Sequence, residues 1–415
     1  MEKGVFIDLF AGAGGLSEGF INNSFTPVAH VEYDANASNT LRTRMTYHYL
    51  EHKNSLRLYY DYLHENINRD QLYSEIPNEI LDTVINTEIK KENLSFVFKR
   101  ITENLDTFGS KKVDVIIGGP PCQAYSLVGR ARDQYGMKDD PRNYLYKMYA
   151  EFLKKFEPDI FVFENVIGLL SASRGELFRD VRAHFKNAGY ETDYKILNAR
   201  DFGVLQNRRR VILIGWKRGM KMQYPEFTQG NTEYLVKDIF QDLPKIKPGE
   251  FEVRPDYIAS PTKYLKNYKI RKPGDILTHH VTRTNNEIDR EIYRRAIILW
   301  NSEKKRLHYT DLPRKYRTHK NIESFLDRFK VVADDLPYSQ TVVSHIAKDG
   351  HYYIHPDLSQ LRSLSVRESA RLQAFPDSYY FEGSRTSAFN QIGNAVPPLM
   401  ANKIADAVSN LLWST

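Results

Sequence analysis

Phe6-Ile7-Asp8-Leu9-Phe10-Ala11-Gly12-Ala13-Gly14-Gly15-Leu16 stands almost at the start of the chain, and its two halves follow different rules. Residues 5–9 form a short apolar run that suits a buried strand, and residues 14–21 suit the helix it feeds. The glycines between them let the backbone turn tightly and approach a ligand at the helix N-terminus. The spacing is not a dinucleotide fingerprint, because Ser17 stands at the third glycine position of G-x-G-x-x-G. A tight turn with no ligand is the plain alternative.

Working outward, residues 28–32 read as a second strand ending at Glu32, and a helical pattern starts at Ala35. A carboxylate at that strand end can accept bonds from both hydroxyls of a ribose, although a surface glutamate is the default reading. Residues 45–110 are charged and tyrosine-rich and carry no legible role. The strand rhythm resumes at 113–117. Leu145, Met148, Tyr149, Phe152, Leu153 and Phe156 then recur at the spacing of one buried helix face, which Pro158 ends. A strand at 160–163, a helix at 176–186 and a strand at 211–215 follow. This alternation predicts an α/β fold with a mostly parallel, doubly wound sheet covered on both faces. After Trp216 the periodicity breaks, and residues from about 220 to 360 are richer in Pro, Tyr, His and Arg. A last helix begins after Pro397-Pro398 and presents Met400, Ile404, Val408 and Leu411 to the first domain. The expected division is a domain of residues 1–219 plus 385–415 and a smaller irregular domain of 220–384.

Across 415 residues the net charge is +7, but its distribution says more than its total. Residues 261–330 hold 18 Lys and Arg against 8 Asp and Glu, so this segment carries +10 and the remainder sums to −3. Such a segment suits a polyanion, with a solvated basic face as the alternative. A single cysteine excludes an internal disulfide framework and a multi-cysteine zinc site. The start, MEKGVFIDLF, lacks the features of a secretory signal, and no apolar run approaches bilayer length. A reducing cytoplasm is the expected location, with no membrane partner.

Three further segments carry chemistry. Gly118-Gly119-Pro120-Pro121-Cys122-Gln123, with Ser126 after it, puts the only cysteine in a rigid loop at a strand's C-terminal end. Open α/β sheets place ligands there, whereas most lone cysteines are inert and buried. Glu164-Asn165-Val166 closes another apolar strand, where a carboxylate is costly unless bonded or functional. Gln206-Asn207-Arg208-Arg209-Arg210 leads into the next strand, so Arg208 and Arg210 share one face and Arg209 takes the other.

Taken in order with Arg367-Glu368, Arg371-Leu372-Gln373-Ala374-Phe375-Pro376 and Gln391-Ile392-Gly393-Asn394-Ala395-Val396-Pro397, these segments resemble the cytosine-C5 DNA methyltransferase family of bacterial restriction–modification type. The likeness spans nearly the whole chain. It implies an S-adenosylmethionine-dependent, Rossmann-like catalytic domain, with 220–384 as the target-recognition domain that also holds the basic segment. It implies Cys122 as the nucleophile that adds to cytosine C6. Glu164 would bond the N3/N4 edge of the base, Arg210 its O2, and Arg208 would help fix the base and the Cys122 loop. The family pattern carries Phe10, Gly12, Ala13 and Gly15 to the methionine part of the cofactor, Glu32 to its ribose and Tyr33 to its adenine. Pro121, Leu145, Asn394 and Ala395 match other pocket positions.

The family's Asp-Ile near the adenine falls here on Arg100-Ile101, a departure that leaves Ile101 as the candidate; either the match slips, to Asp106, or the adenine amino group is held another way. Gln123, Ser126 and Arg142, the last in Asp140-Pro141-Arg142-Asn143, match DNA-contacting positions. The segment from Ser344 to Pro356 resembles one in bacterial members; its histidines could meet phosphates or pack, and packing or structure is the favoured reading. The likeness further implies double-stranded DNA as substrate, base flipping, no metal, action as a monomer, and a separate restriction endonuclease as possible partner. Methylation of tRNA, a nucleotide-binding dehydrogenase and an inactive DNA-binding regulator are the competing readings.

Overall fold

The computed structural model describes residues 4–121, 144–230, 233–250 and 256–413. Seven strands form one sheet: β1 (Gly4–Leu9), β2 (Phe25–Glu32), β3 (Val84–Asn86), β4 (Val115–Gly118), β5 (Ile160–Asn165), β6 (Tyr190–Asn198) and β7 (Arg209–Lys217). Their spatial order is β3-β2-β1-β4-β5-β7-β6. β1 through β5 pair in parallel, and β7 alone is reversed, antiparallel to both β5 and β6. The α/β class and doubly wound sheet expected from the sequence are therefore present. The order reverses between β1 and β4, and open α/β sheets bind ligands at such a switch point.

Local rules explain the helices that matter. α1 (Gly15–Asn22) starts from Gly14 in the left-handed region, φ 81°. α2 (Ala35–His52) is capped by Asp34, whose carboxylate accepts the Ala37 N–H. α3 (Leu94–Thr107) follows β3, and α4 (Leu145–Phe156) ends at Glu157 with φ 44°, just before Pro158. α5 (Glu176–Asn187) covers the same face. In the irregular part, α6 (Glu287–Glu303) sits over its own small core with Leu307, Tyr309 and Phe329. α7 (Val366–Leu372) opens with a reciprocal Ser365–Glu368 capping box. α8 (Arg385–Asn394) and α9 (Pro398–Trp413) complete the chain. α9 returns to α1 as expected. Gly19 makes this possible, since a Cβ there would stand 2.2 Å from the Ala401 carbonyl carbon.

Apolar side chains cover both faces of the sheet. One face packs on α3, α4 and α5 through Ile7, Leu9, Ile116, Phe161 and Phe163. The other joins α1 and α9 and continues without a break into residues of 234–270 and 332–381. Two core histidines, His30 and His355, are held neutral. Burial first, then the charge of His48, pushes His30 down to about 3; burial and Arg362 do the same for His355, against Glu368. The unfolded chain binds these two protons near pH 6.5 and the folded chain does not until about pH 3. Stability is thus expected to fall as pH drops through that window, each histidine adding up to about 1.4 kcal/mol per pH unit. Urea unfolding between pH 7 and 4 tests this: replacing His30 by Gln should flatten the slope.

Candidate active site

The C-terminal ends of β1, β2, β4 and β5 lie side by side, and the sequence motifs sit on them. After β1 the chain passes Phe10 (φ 58°) and Gly12 (φ 55°) before α1 begins. A Cβ on Gly12 would meet nothing within 4 Å, so the glycine provides the turn and leaves open space beside it. Gly15 is different: a Cβ there would sit 2.2 Å from the Val396 carbonyl oxygen and 3.2 Å from the Ala395 side chain. Phe10, Gly12, Ala13, Gly15 and Ala395 thus come together, with Asn394 exposed next to them.

Glu32 ends β2 and ties two loops. Its carboxylate accepts the Gly12 N–H at 2.8 Å and the Asp34 N–H at 2.8 Å. Burial raises its pKa, and those two N–H bonds oppose the rise. Asp8, at the end of β1 and almost fully buried, accepts the Ser17 hydroxyl. Burial pushes its pKa up to about 8, with Ser17 opposing and Glu32 adding to the rise. Tyr33 follows with its ring 69% exposed.

Ile101 does not reach this edge. It lies on α3 with no exposed surface, in the core with Val97, Leu105 and Val31. The residue at the strand edge is Asn86, the end of β3 and the register partner of Glu32. Its amide donates to the Glu32 and Tyr33 carbonyls, both at 3.0 Å. The sequence signal for Asn86 was only Val84-Ile85, two apolar residues in a charged stretch.

Across the switch point, β4 runs into Gly118-Gly119-Pro120-Pro121, with Pro121 half-buried. A Cβ on Gly119 would stand 2.6 Å from Glu164 Oε2, so the backbone entering the Pro-Pro loop lies against that carboxylate. The Asn165 amide donates to the Pro120 carbonyl at 3.3 Å. Glu164 pairs with Arg210 Nε at 2.9 Å, both side chains mostly buried. Burial lowers the Arg210 pKa and Glu164 opposes that shift. Leu145, half-buried, opens α4. Cys122, Gln123, Ser126 and Arg142 lie outside the described residues.

Arg208, expected to help fix the base, has no exposed surface. Its guanidinium donates instead to the carbonyls of Val342 (2.7 Å), Ala395 (2.8 Å) and Gly393 (3.2 Å). Arg208 therefore ties β7 to the irregular part and to the end of α8. Gln206, which opens the arginine motif but carried no assigned role, does the same work: it accepts the Val342 N–H and donates to the Leu372 carbonyl and Gln373. The histidines of the Ser344–Pro356 segment are packed as expected: His351 meets the Tyr293 hydroxyl at 2.8 Å, and His355 lies 3.5 Å from Glu368.

A sheet in this order with one reversed strand, a glycine loop facing a strand-end acid, and a Glu–Arg pair beside a Pro-Pro loop define an S-adenosylmethionine-dependent methyltransferase fold. The C-5 cytosine-specific DNA methylase family model matches residues 4–58 and 71–410, so the chain belongs to that family and is a DNA (cytosine-5) methyltransferase. It is 40% identical to the type II methyltransferase M.Bpa9945I of Bacillus paralicheniformis, over 98% of this chain and 99% of that one. It is 30% identical to the type II methyltransferase M1.HphI of Haemophilus parahaemolyticus, over 97% and 86%. Among solved structures, a prophage-encoded protein from E. coli described as a DNA modification methyltransferase superposes with a TM-score of 0.63. That pair shares 22% identity over 98% and 99% of the two chains, which speaks for the fold. No helix among the described residues is long and apolar enough to cross a membrane.

Proposed function

We propose that this enzyme transfers a methyl group from S-adenosylmethionine to C5 of a cytosine flipped out of a short, specific double-stranded DNA sequence. The observation that carries the reading is the Glu164–Arg210 pair lying against Gly119, three residues before Cys122. When bound, S-adenosylmethionine supplies an electrophilic methyl group. The open space at Gly12 beside the Glu32 carboxylate suits it: both Glu32 oxygens keep lone pairs that can accept the ribose hydroxyls. Tyr33 and Asn86 would flank the adenine, and Pro121, Leu145, Asn394 and Ala395 the rest of the pocket.

Cytosine C5 is too electron-poor to take a methyl cation unaided. Cys122, as thiolate, forms a bond to C6, and the displaced electron pair makes C5 nucleophilic. Glu164 holds the N3/N4 edge, where charge develops, and Arg210 holds O2. C5 then takes the methyl group as its bond to sulfur breaks. A base removes the C5 proton, and the Cys122–C6 bond breaks to restore the ring double bond. Arg208 acts here as a positioning residue, through Ala395 and Val342. Residues 1–219 plus 385–415 would form the catalytic part, and 220–384 the part that selects the target sequence. A monomer in a bacterial cytoplasm, paired with a separate endonuclease that cleaves the same unmodified site, completes the proposal.

Expression in a bacterial host without cytosine methylation, followed by bisulfite sequencing, tests the reading. Protected cytosines in one short recurring sequence support it. Soluble, S-adenosylmethionine-binding protein that protects none would overturn it, and methylation of tRNA in the same cells would redirect it.

A further inference from the structure

Two arginines far apart in sequence come close at the start of α8, and neither forms an ion pair among the described residues. Arg385, the first residue of α8, donates to the Thr282 carbonyl at 2.9 Å, which sets its guanidinium beside the next residue, Arg283. Arg283 Nη1 is buried and makes no hydrogen bond. Among the described residues no carboxylate lies within ion-pair distance of either. Asp349 is engaged by Arg328, and Asp289, which shares the Tyr293–His351 neighbourhood with Arg283, forms no ion pair with either arginine among the described residues.

This arrangement is unfavourable three times over in the isolated protein. Like charges repel at close range. A buried N–H without an acceptor costs about 1–3 kcal/mol. An arginine in the first turn of a helix also opposes the positive end of the helix dipole. Burial, and then the charge of Arg283, accordingly lower the pKa of Arg385. Each of these costs turns into attraction once an anion sits between the two groups.

The position indicates which anion. α8 ends at Asn394, next to Ala395, the residue Arg208 holds beside the candidate pocket. At 1.5 Å per residue, Arg385 stands roughly 14 Å along that helix from the pocket edge. Each strand of a duplex seated over the pocket carries a phosphate about every 3.4 Å of its axis, so backbone phosphates flanking the site fall within that reach.

We propose that Arg283 and Arg385 form a clamp for a DNA backbone phosphate flanking the cytosine that is methylated. This rests on the DNA reading given above. The clamp sets the register of the duplex on the protein and reads no base.

The test is a salt titration of binding to a fluorescent 30-base-pair duplex of arbitrary sequence, from 50 to 200 mM NaCl. Wild type, Arg283→Gln, Arg385→Gln and the double variant are compared, with melting curves and S-adenosylmethionine affinity measured in parallel. The double variant is expected to bind roughly tenfold more weakly at 50 mM and to lower the slope of log K against log salt by about 1–2. S-adenosylmethionine affinity and the methylated sequence should not change, and Arg283→Lys with Arg385→Lys should restore most of the slope. An unchanged slope in folded variants would overturn the clamp. So would an unchanged slope with a relaxed methylation sequence, which would make the pair a base reader. Wild-type protein with no salt-dependent duplex binding would instead overturn the DNA reading itself.

Discussion

A Cys122→Ala variant is expected to transfer no detectable methyl groups, a loss of at least about 10⁴-fold in kcat, while binding S-adenosylmethionine and duplex DNA as the wild type does. The size follows from the chemistry: without addition at C6, C5 has no electron pair to offer, and no remaining group replaces the nucleophile. The loop entrance has contacts of its own. Asn165 holds the Pro120 carbonyl, and Gly119 lies against Glu164, so the loop entrance keeps its place when Sγ is removed. Tritiated methyl transfer to DNA, run beside a fluorescence binding assay, separates the two effects. Residual transfer within tenfold of wild type would remove Cys122 from the mechanism. Loss of transfer together with loss of cofactor and DNA binding would make its role structural.

The second large effect concerns stability. Arg371 is completely buried on α7 and bonds Asp242 at 2.6 and 3.0 Å, Asp377 at 2.9 and 2.5 Å, and the Ile239 carbonyl at 2.7 Å. Burial works to raise the Asp377 pKa, but Arg371, together with Arg367 and the Tyr257 hydroxyl, more than offsets it, and the carboxyl stays below its usual range. Arg371→Met should cost about 3 kcal/mol, because it strands buried carboxylates. The lower end of the usual range applies, since Asp242 keeps Arg271 at 2.6 Å and Asp377 keeps the Tyr257 hydroxyl at 2.7 Å. Adding Asp377→Asn should recover a good part of the loss, as it removes the stranded charge. Urea midpoints at pH 7 read both steps. A loss below about 1 kcal/mol for Arg371→Met would show that the cluster is not holding 236–242 against α7.

The sheet and much of the candidate site were legible because they obey local rules. The Gly12–Gly15 turn, the acid at the end of β2 and the Glu164-Asn165-Val166 strand end are each set by neighbouring residues, whatever the rest of the chain does. β3 was not legible: three residues give no periodicity, and its place is fixed by pairing with β2. That omission carried the adenine-side expectation past Asn86 to Ile101, a core residue of α3. β6 was missed for a related reason, since its outer positions alternate between exposed and half-covered and only its pairing with β7 defines it.

Fold class, motif order and the residue types available for chemistry follow from local pattern in the chain. Strand alternation also put Arg208 and Arg210 forward as candidates for one face. Tertiary packing turns Arg208 inward to three carbonyls and sets Arg210 on Glu164, because the acceptors at Val342, Gly393 and Ala395 arrive from distant segments. It alone also brought Arg283 to Arg385. Charge in a sequence gives composition; which charges are left without a partner depends on contacts between residues a hundred positions apart.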